Sequence, residues 1–262
     1  MWTLSLDATQ KKLIAQLEAS REAWQTTAAY DPERYPDPPA VSQKKGASLP
    51  KRVPHEAHAP WKPPRQRPSP VDVVVAGNAG RQEHLVPLRM ARMSASPFAF
   101  LRGAAAVMAW DLSHTPVSGA QVFIDGDAHI NNFGLYGTPQ RDVVIDVNDF
   151  DEATLGPWEW DLKRLVASVN VAGRDNGMSR RERRRAVLGA VRGYRFNIAR
   201  VSTMGVLEVW SLFAHAERVQ NAVKIPKKAW ALVQKVVAKA KATTNETLLP
   251  KVARRRHDGG WR

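Results

Sequence analysis

The sequence predicts a mainly helical α+β domain. Three observations lead there. Apolar residues recur at helical spacing through long segments, above all between residues 157 and 242. Two short β-branched runs, "AQVFIDGDAH" and "DVVIDVNDF", each end in a cluster of acids and amides. The segment between them, "YGTPQRD", has the Gly and Pro content of a turn.

The elements follow in chain order. Residues 8 to 27 read as an amphipathic helix, with Leu13, Ile14, Leu17 and Trp24 on one stripe. From Tyr30 to Pro70 the chain is proline-rich and aperiodic, so an extended or irregular basic arm is expected. Within it "HAPWKPPRQRP" suits a polyproline segment draped on the domain. "VDVVVAGNAGRQEHLVPLRMARM" opens the ordered part. Ser96 as N-cap and Pro97 at the first helical position start one apolar helix, "PFAFLRGAAAVMAWDLS". The two β-branched runs then pair as a hairpin that delivers polar residues at one end. "GPWEWDLKRLVASVNVAG" is a helix broken at Asn176-Gly177, and "RRERRRAVLGAVRGYRFNIARV" is the next. Residues 205 to 222 and 227 to 242 give two more, the last with a stripe of Trp230, Val233, Val236 and Val237. "VARRRHDGGWR" reads as an unstructured end. The expected division is a helix and arm at 1–70, a domain at 71–245 and a basic tail at 246–262.

Composition narrows the function classes. The chain has 262 residues, 44% apolar and 24% charged, enough for a real core. No apolar run reaches membrane-spanning length, and "MWTLSLDATQKKL" lacks the pattern of a signal peptide, so a cytoplasmic protein is expected. There is no cysteine, which excludes disulfides, thiolate catalysis and cysteine-held metals. The net charge of +14 favours anionic partners, but much of it sits in runs such as "SRRERRR" that ordinarily form solvated faces.

The polar clusters carry the chemistry. Asp127 and Asn132 follow the first strand, and a loop there aims both side chains into one cleft. Asp149 ends the next strand and reaches the same place. Carboxylate and amide oxygens are hard ligands suited to magnesium. Magnesium held by one or two side chains and completed by phosphates is the usual arrangement for phosphoryl transfer. A carboxylate free of metal then takes the proton of an acceptor hydroxyl.

Gly126-Asp127-x-His129-x-x-Asn132 resembles the catalytic loop of the aminoglycoside phosphotransferase and choline kinase branch of protein-kinase-like folds. "NDFDEA" resembles their metal-binding segment, and "GPWEWDLKRL" resembles the start of the helix that follows. The resemblance implies a kinase-like C-lobe with the site on the hairpin, and magnesium and ATP as cofactor and donor. It makes Asp127 the catalytic base, His129 a loop-shaping catalytic residue, Asn132 and Asp149 the metal ligands, and Asp161 the support of the loop. Asp151 is a further candidate ligand. "LPKRVPHEAHAPW", "LVPLRMARMSASPFAFLRGAAAVMAWDL", "GDAHINNFG" and "DVNDFDEATLGPWEWDLKRLVASV" are similar, over about residues 47 to 200, to the bacterial family called domain of unknown function 2252 (DUF2252). Members look longer, with a glycine-rich, lysine-bearing segment after the helices, so this chain is expected to be truncated.

Competing readings stand beside these. Upstream of Asp127 there is no strand–loop–strand pattern with a phosphate-pairing lysine, and "VAGNAGRQEHL" reads as a turn before a helix. Arg102, inside an apolar run, is either a phosphate clamp or the buried partner of Asp111, Asp125 or Asp161. Asp127 reads otherwise as a turn cap, and Asp149 and Asp151 as a strand end paired with Lys163 or Arg164. The function expected is magnesium-dependent phosphoryl transfer to an unknown small-molecule hydroxyl. The alternatives are an inactive kinase-like remnant and a basic nucleic-acid-binding protein. A metal phosphoesterase is disfavoured, because only His215 and His257 follow His129.

Overall fold

Proline opens most of the helices in the first half of the chain, where its missing N–H costs nothing. In the computed structural model, residues 37–138, 140, 142–212, 227–242 and 250–257 are described, with Ala8, Lys11, Lys12 and Ala15. Those four are helical; the rest of the predicted first helix lies outside the described residues. Helices α1 (Pro39–Arg52), α2 (Pro70–Ala76), α3 (Val86–Met93) and α4 (Pro97–Gly103) each carry proline in the first two positions. The Ser96 hydroxyl caps α4 by accepting the Ala99 N–H at 3.1 Å, as its sequence predicts.

Helix α1 corrects the expectation of an irregular arm. Its prolines flank the segment rather than interrupt it, apart from Pro50 near its end. Beyond it, residues 59–64 and 67–69 have no regular structure. Arg67 anchors this stretch: its Nε and Nη2 donate to the two Asp111 oxygens at 2.6 and 2.7 Å. The same guanidinium lies 5.6 Å from the centre of the Trp61 ring.

The long apolar helix expected after Ser96 is two helices, α4 and α5 (Ala105–Ser113). The break falls at Ala104, with φ −118° and ψ 38°. Arg89 Nη2 takes the Gly103 carbonyl at 2.8 Å, and a Cβ on Gly103 would meet Met93 Sδ at 2.6 Å. Val73, Val74, Ala76, Met93, Ala104 and Val107 form the core around this corner.

The strands differ from the expected hairpin. Strand β1 (Gln121–Ile124) pairs antiparallel with β4 (Thr154–Pro157), while β2 (Phe133–Gly137) pairs antiparallel with β3 (Val143–Val147). The predicted turn is the β2–β3 connection, and "DVVIDV" is the hairpin's second strand. Its partner is "FGLYG", not "QVFI". Two glycines hid β2, and Gly156-Pro157 gave β4 the look of a loop.

Helix α6 (Trp158–Asp175) packs against α7 (Arg180–Val201). The break between them is the one expected, with Asn176 as cap and Gly177 at φ +71°. Ser179 and Glu182 open α7 with a reciprocal capping box. Trp158 stacks on Tyr194, ring centres 5.9 Å apart and 5° from parallel. The helix expected from 205 is shorter: α8 (Val206–Trp210) ends at Ser211, and residues 213–226 lie outside the described ones. Helix α9 (Lys227–Ala242) matches its expected bounds and packs on β2 and β3, where Val237 joins Val143, Leu135 and Ile145. Val236 is exposed instead, and the side chains of Trp230 and Val233 are not among those described. Residues 250–252 are helical, so of the end expected to be unstructured from Val252 onward only Val252 departs, and residues 253–257 form no helix.

The chain is thus α+β and mainly helical. It divides into two compact units, Met1–Ile130 with Asp149–Thr203, and Asn131–Asn148 with Met204–Arg262. Among the described residues, no helix is long and apolar enough to cross a membrane.

Candidate functional site

The first unit holds a loop, residues 125–130, pinned to one helix at three points. Asp161 accepts the backbone N–H groups of Asp125 at 2.7 Å and Gly126 at 3.0 Å, one on each carboxylate oxygen. Arg164 Nε donates to Asp127 Oδ1 at 2.5 Å, and its Nη2 also pairs with that oxygen. Ser168 Oγ accepts the Ile130 N–H at 2.9 Å. Asp161, Arg164 and Ser168 stand three and four residues apart, which places them on one face of α6. Arg164 also donates to the Leu101 carbonyl at 2.8 Å, so α4 is tied to the same point.

Gly126 makes the turn possible. It sits at φ +77°, and a Cβ there would lie 2.3 Å from the Glu152 carbonyl oxygen. Only glycine fits both the backbone and the space.

The loop faces a cleft of about 770 Å³ lined by Asp127, His129 and Asp149. Four arginines line it as well: Arg81, Arg89, Arg92 and Arg102. Arg89 donates to Asn78 Oδ1 at 2.9 Å in addition to the Gly103 carbonyl, so it is fixed in place. Burial lowers the Arg89 pKa, helped by the nearby Arg81 charge. Gly80, at φ +76°, brings its turn to the cleft edge.

The two cleft acids differ. Asp127 is largely buried, and burial raises its pKa above the ordinary carboxylate value although the Arg164 charge and hydrogen bond pull the other way. Asp149 is exposed, and its Oδ1 accepts the Asp151 N–H at 3.1 Å in an Asx-type turn. His129 is buried beside them, with Nε2 3.6 Å from Asp127 Oδ2. Burial first, then the charges of Arg164 and Arg102, lower its pKa to about 4. The imidazole is therefore neutral near pH 7, and its Nδ1 is buried without a hydrogen-bond partner among the described residues.

The structure thus brings Asp127, His129, Asp149 and Arg102 to one cleft and holds their loop on Asp161. Asp151 is exposed and does not line it. Asn132 belongs to the second unit, where it is buried and its carbonyl accepts the Asn148 N–H at 2.9 Å. Two expectations for arginine are corrected. Arg102 is exposed rather than buried, because the helix break turns it out to the cleft. Asp111 is taken by Arg67, and Asp161 by the loop's backbone. Arg164 pairs with Asp127, not with Asp149 or Asp151, and Lys163 donates to Thr115 Oγ1 at 3.0 Å. Sequence reasoning passed over Ser168, Arg81 and the central role of Arg164. Polar residues spaced three and four apart on an otherwise apolar helix were the available signal.

As for magnesium, no group of three or more His, Asp or Glu side chains that suits a metal occurs among the described residues. An all-protein cage is therefore not built there. One exposed carboxylate in a cleft lined by four arginines still fits a hard cation such as magnesium.

Comparison with known proteins decides the family. Residues 81–262 match the model of a family described as an uncharacterized protein conserved in bacteria, DUF2252. The chain belongs to DUF2252. Its matched region includes the whole pinned loop and all four cleft arginines of this DUF2252 protein. No curated protein and no solved structure matches the DUF2252 chain.

Proposed function

We propose that the arginine-lined cleft is a phosphoryl-transfer site, taking a magnesium-bound nucleoside triphosphate as donor and a small-molecule hydroxyl as acceptor. The observation that carries it is the pairing of two unlike acids across one cationic cleft. Asp127 is half-buried, positioned by Arg164 and raised in proton affinity, as a general base requires. Asp149 is exposed and suits a hard cation. Arg81, Arg89, Arg92 and Arg102 supply the charge that polyphosphate needs, in place of a lysine.

When bound, magnesium would neutralise charge on the transferring phosphate. The chain's own part is to hold the acceptor oxygen at Asp127, accept its proton, and keep His129 neutral so that no second positive charge crowds Asp127. The kinase-like motifs around Asp127, Asp149 and Asp161 support the same reading.

Thermal unfolding with and without magnesium and ATP tests it. A ligand that binds only the folded state stabilises by about 2.7 kcal/mol at a hundredfold over its Kd. Stabilisation is expected in the native chain, lost in Asp149→Asn and Arg102→Gln, and retained in Asp127→Asn. Phosphate transfer should be lost in all three. No stabilisation at millimolar ligand would leave the inactive-remnant reading in place.

A further inference from the structure

Away from the cleft, α7 carries a charged face that the proposed reaction does not use. Arg181, Arg184, Arg185, Arg192 and Arg195 are all exposed. At about 100° per residue they fall within roughly 100° of arc, one stripe along about 21 Å of helix. No salt bridge to any of them occurs among the described residues. The helix's one acid, Glu182, is spent on its capping box. Arg183, by contrast, is turned inward and bonded to Asn170 and the Met178 carbonyl.

Aromatic surface borders this stripe. Phe196 is 70% exposed. A groove of about 790 Å³ has Arg192 and Arg195 among its lining residues, with Val122, Trp158, Tyr194 and Phe196.

We propose that this face binds single-stranded nucleic acid, the arginines tracking phosphates and the groove's aromatic rings, Phe196 above all, stacking bases. Charge complementarity selects a polyanion. The aromatic rings beside the arginines select a strand whose bases are unpaired and free to stack. A lipid surface fits less well. Val187, Ala190, Val191 and Tyr194 of α7 are half-buried where the helix packs against α6, and Trp158 stacks on Tyr194. Those residues are therefore not available to enter a bilayer.

Fluorescence anisotropy of a labelled single strand of about 12 nucleotides, titrated with the full chain, tests the proposal. One phosphate per arginine predicts a log–log salt slope of roughly −3.5. Arg184→Gln with Arg192→Gln should flatten it to roughly −2. Phe196→Ala should weaken single-strand binding about tenfold and leave duplex binding unchanged. Lys44→Gln with Lys51→Gln, on exposed residues of α1, should change neither slope nor affinity. Equal losses from the α1 and α7 variants would mean that net charge alone is responsible and would overturn the proposal. So would a silent Phe196→Ala, duplex or phosphatidylserine vesicles bound as tightly as single strands, or no saturable binding at low salt.

Discussion

Arg164 joins Asp127 to the Leu101 carbonyl, so one guanidinium fixes the loop and helix α4 together. It is 2% exposed, and its partner carboxylate 20%. Removing it strips a half-buried carboxylate of its guanidinium. Arg164→Met should therefore cost roughly 3–5 kcal/mol, read from urea unfolding. Asp127→Asn added to that variant should cost little further, and a double-mutant cycle measures the coupling.

Asp161 uses both oxygens on backbone donors. Asn at that position keeps one acceptor and turns an amide donor towards an N–H. Asp161→Asn should lose about 1–3 kcal/mol of stability. It should also weaken magnesium–ATP binding at a cleft it does not line, which isothermal titration of the folded variant would detect.

His129 makes stability depend on pH. Its folded pKa, about 4, lies below the ordinary value of 6.5. Below pH 6.5 the unfolded chain gains a proton that the folded chain refuses. The stability present above pH 6.5 is therefore lost as pH falls towards 4, by about 3 kcal/mol in total. Asp127 works against this at the acid end, because its raised pKa lets the folded state take a proton first. In His129→Asn, urea midpoints measured between pH 7 and 4 should lose most of this slope.

Gly126→Ala combines a left-handed backbone with a contact of 2.3 Å to a carbonyl oxygen that cannot swing away. A loss of about 2 kcal/mol or more is expected. Gly80→Ala is the comparison: it shares the positive φ but has nothing within 4 Å, so its cost should be smaller.

Arg67 and Asp111 hold the arm between α1 and α2. Arg67→Ala should loosen residues 53–66 and speed limited proteolysis there, at a stability cost of about 1–3 kcal/mol for the partly buried pair. Mass spectrometry of the first cleavage products would place the cut.

Much of this was legible in the sequence because the signals were local. Ser96-Pro97, Asn176-Gly177 and the periodicity of α6, α7 and α9 each act within a few residues. What the sequence hid depends on partners far along the chain. The break at Ala104 is set by Arg89 and Met93 from another helix, and β1 pairs with a strand that resembles a loop. For the candidate site, Asp127, Asp149 and Asp161 stood out as acids in apolar surroundings. Arg164 and Ser168 did not, because only the folded helix shows that they share a face with Asp161. Arg102 looked buried because its neighbours in sequence are apolar, yet it faces the cleft.

The pairing of β1 with β4 also sets an order of events in folding. Ile124 meets Thr154 only after residues 125–153 have closed into a loop, whereas β2 and β3 zip across the short connection at 138–142. Closing the longer loop costs more chain entropy before any ladder contact repays it. Asp127 and Asp149 both lie inside that loop. The acids of the cleft therefore meet late, after the local hairpin and helices have formed, and refolding should recover helical signal before it recovers ligand binding.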